Sequence, residues 1–278
     1  MTKYRINKTR FVDQTKTVSF TFDGKKYHGF EGDTLASALL SNGIHLVGRS
    51  FKYHRPRGIM SCGSEEPNAI CQINDNTDLT EPNVRATEIE LYEGLKASSQ
   101  NCWPSLNFDI GGINNLISPF IPAGFYYKTF MWPKSFWKKI YEPLIRLSAG
   151  LGKSPTQPDP DIYDHKHEHC DVLVIGGGIS GIISAKIAAK NNLKTILIED
   201  KNILGGSTIY QNNKNFIIDN QKSNEWLMNE ISELEKLDNL IIKTRTSLAA
   251  FHSYNYLLAK ENISDHLPLD KKNGSIRQ

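Results

Sequence analysis

The chain has 278 residues and a formal charge of +3, with 39% hydrophobic and 23% charged residues, which excludes wholesale disorder and leaves room for one large domain or two ordinary ones. Its four cysteines (Cys62, Cys71, Cys102 and Cys170) are scattered, which excludes a dense disulfide scaffold and a cysteine-only zinc site of standard spacing. No apolar run reaches the ~18 residues of a membrane span, and the polar start MTKYRINKTR has no signal core, so a soluble, cytoplasmic location without membrane contact is expected.

Residues 1–97 form the first segment. Thr17 to Phe22 alternates polar and apolar residues as a half-buried strand does. Asp23-Gly24 is a hairpin turn signal, and Lys25 to Phe30 returns. Glu31 to Thr34 breaks the pattern and offers an N-cap to a helix carrying Leu35, Leu39 and Leu40 on one face, closed by Asn42-Gly43. Ala69 to Ile73 and Ala86 to Leu91 read as further short strands. A hairpin, a helix and later strands describe an α+β β-grasp domain of the ferredoxin and ubiquitin type. Charge divides sharply within it, net +7 over residues 1–60 and −6 over 61–97. That division fits a solvated surface with internal pairing; the sharper alternative is a basic face for a partner subunit or an anionic cofactor.

Residues 98–168 have a different character. Eleven aromatics lie between Trp103 and Tyr141, and proline recurs at 104, 119, 122, 133 and 143. Repeated prolines forbid long helices over most of this stretch. It reads as an extended arm packed over other domains or another subunit, ending in a Pro-, Asp- and Ser-rich linker from Lys153 to Asp164.

Residues 169–278 open a dinucleotide-binding domain of the FAD/NAD(P) type. Asp171 to Ile175 is a buried-strand run, Gly176-Gly-Gly-Ile-Ser-Gly181 follows, Ile182 to Asn191 reads as a helix, and Lys194 to Glu199 as a second strand. In this setting Gly176 allows the tight turn, Gly178 admits the pyrophosphate, and Gly181 lets helix and sheet pack closely. The helix N-terminus offers N–H groups to phosphates. Glu199, 18 residues after Gly181, is placed to accept hydrogen bonds from the ribose hydroxyls, so NAD or FAD is expected rather than NADP. Gly205-Gly206 follows, and Glu225 to Leu237 reads as an amphipathic packing helix.

Other clusters are weaker. His165, His167 and His169 alternate before Cys170; a solvated linker is favoured over a metal site. Arg49, Lys52, Arg55 and Arg57 with Phe51 and Tyr53 are too few, in too mildly charged a chain, to argue for nucleic acid.

Arg55-Pro-Arg-Gly-Ile-Met-Ser61, Glu65-Glu-Pro-Asn-Ala69, Asn101 to Asp109, Pro122 to Pro133, Tyr141 to Ile145 and His169 to Gly178 together resemble the N-terminal part of the alpha subunit of heterotetrameric sarcosine oxidase. The resemblance covers essentially the whole chain. It implies a first domain like a 2Fe–2S ferredoxin domain, with ligand positions falling at Ser61, Glu66, Ala69 and Thr87. None of these is a cysteine, so a cluster-free scaffold is expected. It also implies NAD in the second domain (FAD less so), held by Gly176, Gly178, Ser180, Gly181, Glu199, Asp200, Lys201 and Ser207, with Leu248 near the adenine. FAD and FMN are implied elsewhere in the complex, and beta, gamma and delta subunits as partners. The implied enzyme demethylates sarcosine to glycine, yields hydrogen peroxide, and releases the methyl carbon as formaldehyde or passes it to tetrahydrofolate; no catalytic residue is expected in this chain. Family alpha subunits are several-fold longer and carry a folate-binding domain, so a gene fragment, a split subunit or a truncated reading frame is expected here, with an incomplete Rossmann sheet. A related amine or opine dehydrogenase fragment, or a non-catalytic assembly module, are the alternatives.

Overall fold

The computed structural model describes residues 4–5, 11–74, 79–120, 124, 130–159, 161–210, 216–268 and 276–277. Two compact units emerge, Met1–Pro160 with His266–Asn273, and Asp161–Asp265 with Gly274–Gln278.

In the first unit, β1 (Asp13–Phe22) and β2 (Lys25–Glu31) form the expected hairpin. Asp23 and Gly24 both take positive φ, +47° and +75°, the turn whose twist matches that of the strands. Thr34 caps α1 (Leu35–Ser41) in a reciprocal box. Its Oγ1 accepts the Ser37 N–H at 3.2 Å, and Ser37 Oγ accepts the Thr34 N–H at 3.0 Å. After the short pair β3 (Gly48–Arg49) and β4 (Pro56–Arg57) come β5 (Ile70–Ile73), β6 (Glu81–Arg85) and β7 (Leu95–Ser99). The main sheet runs β2-β1-β7-β5-β6, with β1 and β7 parallel at its centre, the β-grasp order. Phe20, Phe22, Leu35, Ala38, Leu39, Cys71, Ile73 and Leu95 fill the core.

One expected strand is corrected. Ala86 to Leu91 is a turn and crossing segment with a single bridge from Glu90 to Thr34, and the strand lies earlier, at Glu81–Arg85. The carbonyls of Ala86 and Ile89 accept the Ala36 and Leu35 N–H groups at 2.8 Å each. This segment therefore satisfies amide groups that the start of α1 leaves open, and its apolar residues are buried by that crossing rather than by strand alternation.

The arm from residue 98 is irregular, as its prolines dictate. It contains 3-10 turns at Ile110–Gly112 and Ser118–Phe120 and the short helix α2 (Ile113–Leu116). A π turn, Trp137–Tyr141, leads into α3 (Glu142–Ser148), whose second residue, Pro143, has no N–H to give. Residues 122–123 and 125–129 of the aromatic motif lie outside the described residues.

In the second unit, β8 (Ile162–Tyr163) precedes β9 (Val172–Ile175), α4 (Ile179–Lys190) and β10 (Thr195–Ile198), the expected βαβ unit. A two-stranded pair, β11 (Ile217–Ile218) and β12 (Gln221–Lys222), leads into α5 (Ser223–Leu234), which lays Trp226, Leu227 and Leu234 on the core with Ile182 and Leu197. Next, β13 (Leu240–Lys243) completes a three-stranded parallel sheet in the order β13-β10-β9, and β14 (Thr246–His252) and β15 (Tyr256–Glu261) form a separate hairpin. All four residues of β10, the central strand, are buried.

Candidate functional site: a glycine turn and a buried carboxylate

The second unit gathers its candidate residues at the carboxyl end of the parallel sheet, the end where open α/β folds bind ligands. Gly176 leaves β9 at φ +95°, its N–H donating to the Ile198 carbonyl at 2.8 Å. A Cβ on Gly181 would sit 1.8 Å from the Gly176 oxygen, so only glycine lets α4 approach the turn. A Cβ on Gly178 would meet nothing within 4 Å. The backbone at Gly178 is thus open to an incoming group and caps a 12-residue helix without a side-chain cap bond. Together these features leave helix-start N–H groups open at the turn, an arrangement that can receive an anion.

Glu199 lies one residue past β10, 5% exposed. Its Oε2 accepts the Gly177 N–H at 2.5 Å and its Oε1 the Lys201 N–H at 3.1 Å. Its own carbonyl accepts the Thr246 N–H at 2.8 Å, and its N–H donates to the Lys243 carbonyl at 2.9 Å, so its backbone is fixed by the end of β13 and the start of β14. Burial pushes the carboxyl up to about 7, the adjacent Asp200 carboxylate adds to the rise, and the Gly177 and Lys201 amides oppose it. An ionised carboxylate has about four acceptor sites, so lone pairs remain for ribose hydroxyls.

Asp200 and Ser180 are exposed, and Lys201 is half-buried. Ser207, also exposed, sits in the 3-10 turn Gly206–Ile209. The Gly205 N–H donates to the Gly177 carbonyl at 2.7 Å, which brings this turn against the fingerprint. Leu248 stands on the β14–β15 hairpin, half-buried opposite Ala259. Sequence reasoning missed Tyr210. Its hydroxyl lies 2.5 Å from Lys201 Nζ, which also stands 4.6 Å from the ring centroid. No local pattern signals that contact.

The first unit does not fit an iron–sulfur cluster. Ser61, Glu66, Ala69 and Thr87 are brought to one loop, but none supplies a thiolate. Cys62 is exposed, and burial pushes the Cys71 thiol up to about 12, far from the ionised form a metal needs. Among the described residues no group of three or more His, Cys, Asp or Glu is placed to hold a metal ion. His165, His167 and His169 are all exposed.

The basic stretch at 49–57 is tied to the arm. Arg49 Nε donates to the Leu106 carbonyl at 3.0 Å, Arg55 Nε to Asn115 Oδ1 at 2.7 Å, and His54 Nδ1 lies 2.7 Å from Asp109 Oδ2. No described helix is long and apolar enough to cross a membrane.

Two family models match the chain. Residues 15–102 match the 2Fe-2S iron-sulfur cluster binding domain, and residues 171–261 the FAD dependent oxidoreductase family. The chain is 48% identical over 267 residues to sarcosine oxidase subunit alpha of Rhizobium meliloti (strain 1021), covering 96% of this chain and 27% of that protein. It is 27% identical over 269 residues to the same subunit of Corynebacterium sp. (strain U-96), covering 96% of this chain and 23% of the relative. The chain thus spans about a quarter of the length of the curated relatives it matches. Among solved structures it resembles L-proline dehydrogenase from P. horikoshii, with a TM-score of 0.51 and 21% identity over 90% of this chain and 38% of that one, a likeness of fold.

Proposed function

We propose that this chain, which matches sarcosine oxidase alpha subunits over about a quarter of their length, corresponds to their N-terminal part and serves as scaffold and adenine-dinucleotide-binding part of a flavoenzyme that oxidatively demethylates sarcosine to glycine. In that reaction hydrogen peroxide is the oxygen product, and the methyl carbon leaves as formaldehyde or is taken up on tetrahydrofolate. The observation that carries the reading is the buried Glu199 carboxylate bonded to the Gly177 N–H, beside an open backbone at Gly178.

In this reading Gly176, Gly178, Ser180 and Gly181 present the turn and helix start to the pyrophosphate, and Glu199 accepts the ribose hydroxyls. Asp200, Lys201 and Ser207 border the ribose and phosphates, and Leu248 contacts the adenine. These residues would hold and orient a bound dinucleotide, while the redox flavins, FAD and FMN, are proposed elsewhere in the complex; no catalytic residue is assigned to this chain. NAD is the proposed ligand, because an acid at position 199 disfavours a 2′-phosphate. FAD is the second reading, favoured by the match of residues 171–261 to FAD dependent oxidoreductases. The beta, gamma and delta subunits are the proposed partners in a cytoplasmic heterotetramer, with the aromatic arm between residues 98 and 168 as a docking element.

Calorimetry on the folded chain with NAD, FAD and NADP tests the reading. Heat with NAD, weakened in Glu199→Ala, is expected. No heat with NAD or FAD at millimolar ligand would overturn it, and equal affinity for NADP would reject the role of Glu199.

A further inference from the structure

We infer that the Glu66 carboxylate is a built-in anion that has taken over the cluster loop of the β-grasp domain and orders it without metal. Four backbone amides converge on this one side chain. Glu66 Oε2 accepts the N–H groups of Met60 at 2.8 Å and Ser61 at 2.6 Å, and Oε1 those of Asn68 at 2.8 Å and Ala69 at 3.1 Å. The donors lie on both flanks of the loop, so one carboxylate ties its two ends together. The residue is 1% exposed, and its four bonds match the acceptor capacity of an ionised carboxylate.

The rest of the loop is fitted around this arrangement. The Glu66 N–H donates to the Gly63 carbonyl at 3.1 Å, Thr87 Oγ1 donates to the same carbonyl at 2.8 Å, and Arg85 Nε donates to the Glu66 carbonyl at 3.2 Å. A concavity of inward-facing backbone N–H groups is an anion site, and here its anion is covalently part of the chain. Burial pushes the carboxyl up, but the amides of Ser61, Asn68, Met60 and Ala69 outweigh it and hold the group below its ordinary range. The domain that matches an iron–sulfur family thus carries an occupant incompatible with the cluster.

The test compares Glu66→Gln and Glu66→Ala in the full chain by amide hydrogen exchange and thermal melting. Glu66→Gln keeps the shape and removes the charge. Protection of the Met60, Ser61, Asn68 and Ala69 amides is expected to fall at least tenfold, and the melting temperature by about 5 °C. In Glu66→Ala, 0.1 M formate is expected to restore protection at these amides while 0.1 M formamide does not. Wild-type protection in Glu66→Gln, or equal rescue by formamide, would overturn the inference. If Glu66→Ala does not fold, Glu66→Gln decides. Stoichiometric iron and sulfide in the wild-type chain after reconstitution would overturn it independently.

Discussion

Glu199 closes onto Gly177 across the βα turn at 2.5 Å, so the fingerprint loop and the end of the second strand share one buried carboxylate. Because burial, with Asp200 adding, lifts this carboxyl to about 7, its charge changes near neutral pH. For the ligand-free chain, a carboxyl raised in the folded state stabilises fully below its ordinary value near 4.5, and that contribution is lost as pH rises through about 7. Ribose hydroxyls donate best to the ionised form, so NAD affinity moves the opposite way. Between pH 6 and pH 8 it is expected to rise about tenfold, following the ionised fraction. Glu199→Gln should flatten the profile. Calorimetry at the two pH values checks this, and a pH-independent affinity in the wild-type chain would reject it.

Gly178 and Gly181 separate binding from folding. A Cβ at position 181 would fall 1.8 Å from the Gly176 oxygen, whereas one at 178 meets nothing in the chain within 4 Å. Gly181→Ala is therefore expected to distort the turn, destabilise the second unit by about 2–4 kcal/mol and abolish nucleotide binding. Gly178→Ala should melt within about 2 °C of wild type, yet weaken NAD binding at least tenfold by holding the pyrophosphate away. Melting curves with and without NAD distinguish the two; equal loss of stability would contradict the open turn.

What could be read in advance followed from residues whose type the backbone dictates. Asp23-Gly24, Gly176 and Gly181 occupy positions where φ or close approach admits few residues, and Thr34 one where a side-chain acceptor must cap the helix, so hairpin, cap and fingerprint turn were visible before any coordinates. The set distance of Glu199 from the last glycine predicted its place at the end of the second strand, where it follows β10. The strand Glu81–Arg85 was hidden because Pro82 and Asn83, the latter at φ +62°, look like loop residues. As the edge of the sheet it tolerates both. Ala86 and Leu91 imitated a strand because crossing the helix start buries them. Glu66 was read only as a cluster-ligand position that lacks a cysteine; four amides that reach it only after folding make it a core residue. Tyr210 meets Lys201 through the turn that follows Gly205-Gly206, a relation with no local pattern.

Asp109 should be the anchor of the arm. Its side chain is 1% exposed, accepts the Trp103 N–H at 2.9 Å and the Gly111 N–H at 3.2 Å on Oδ1, and faces His54 Nδ1 at 2.7 Å through Oδ2. Asp109→Ala removes the shared acceptor of these three donors, which are partly open to water, and is expected to destabilise the first unit by about 1–3 kcal/mol. Asp109→Asn, which keeps an acceptor, should lose less. Urea unfolding followed by tryptophan fluorescence measures both, and an unchanged midpoint in Asp109→Ala would show that the arm is held elsewhere.

Beyond that anchor the arm exposes a run of large apolar side chains: Phe120 is 86% exposed, Trp132 81% and Leu116 79%. Such a concentration exceeds the scattered apolar residues of an ordinary surface and suits a partner-facing element. The double change Phe120→Ser with Trp132→Ser removes nothing from the described core, so the melting temperature should stay within about 2 °C of wild type. Binding to the proposed beta subunit, followed by co-purification and by titration of the purified proteins, should fall at least tenfold because exposed aromatics supply interface anchors. The double variant should also remain soluble at higher concentration. Full retention of beta-subunit affinity would assign the exposed aromatics a role outside that interface and remove the arm as its docking element.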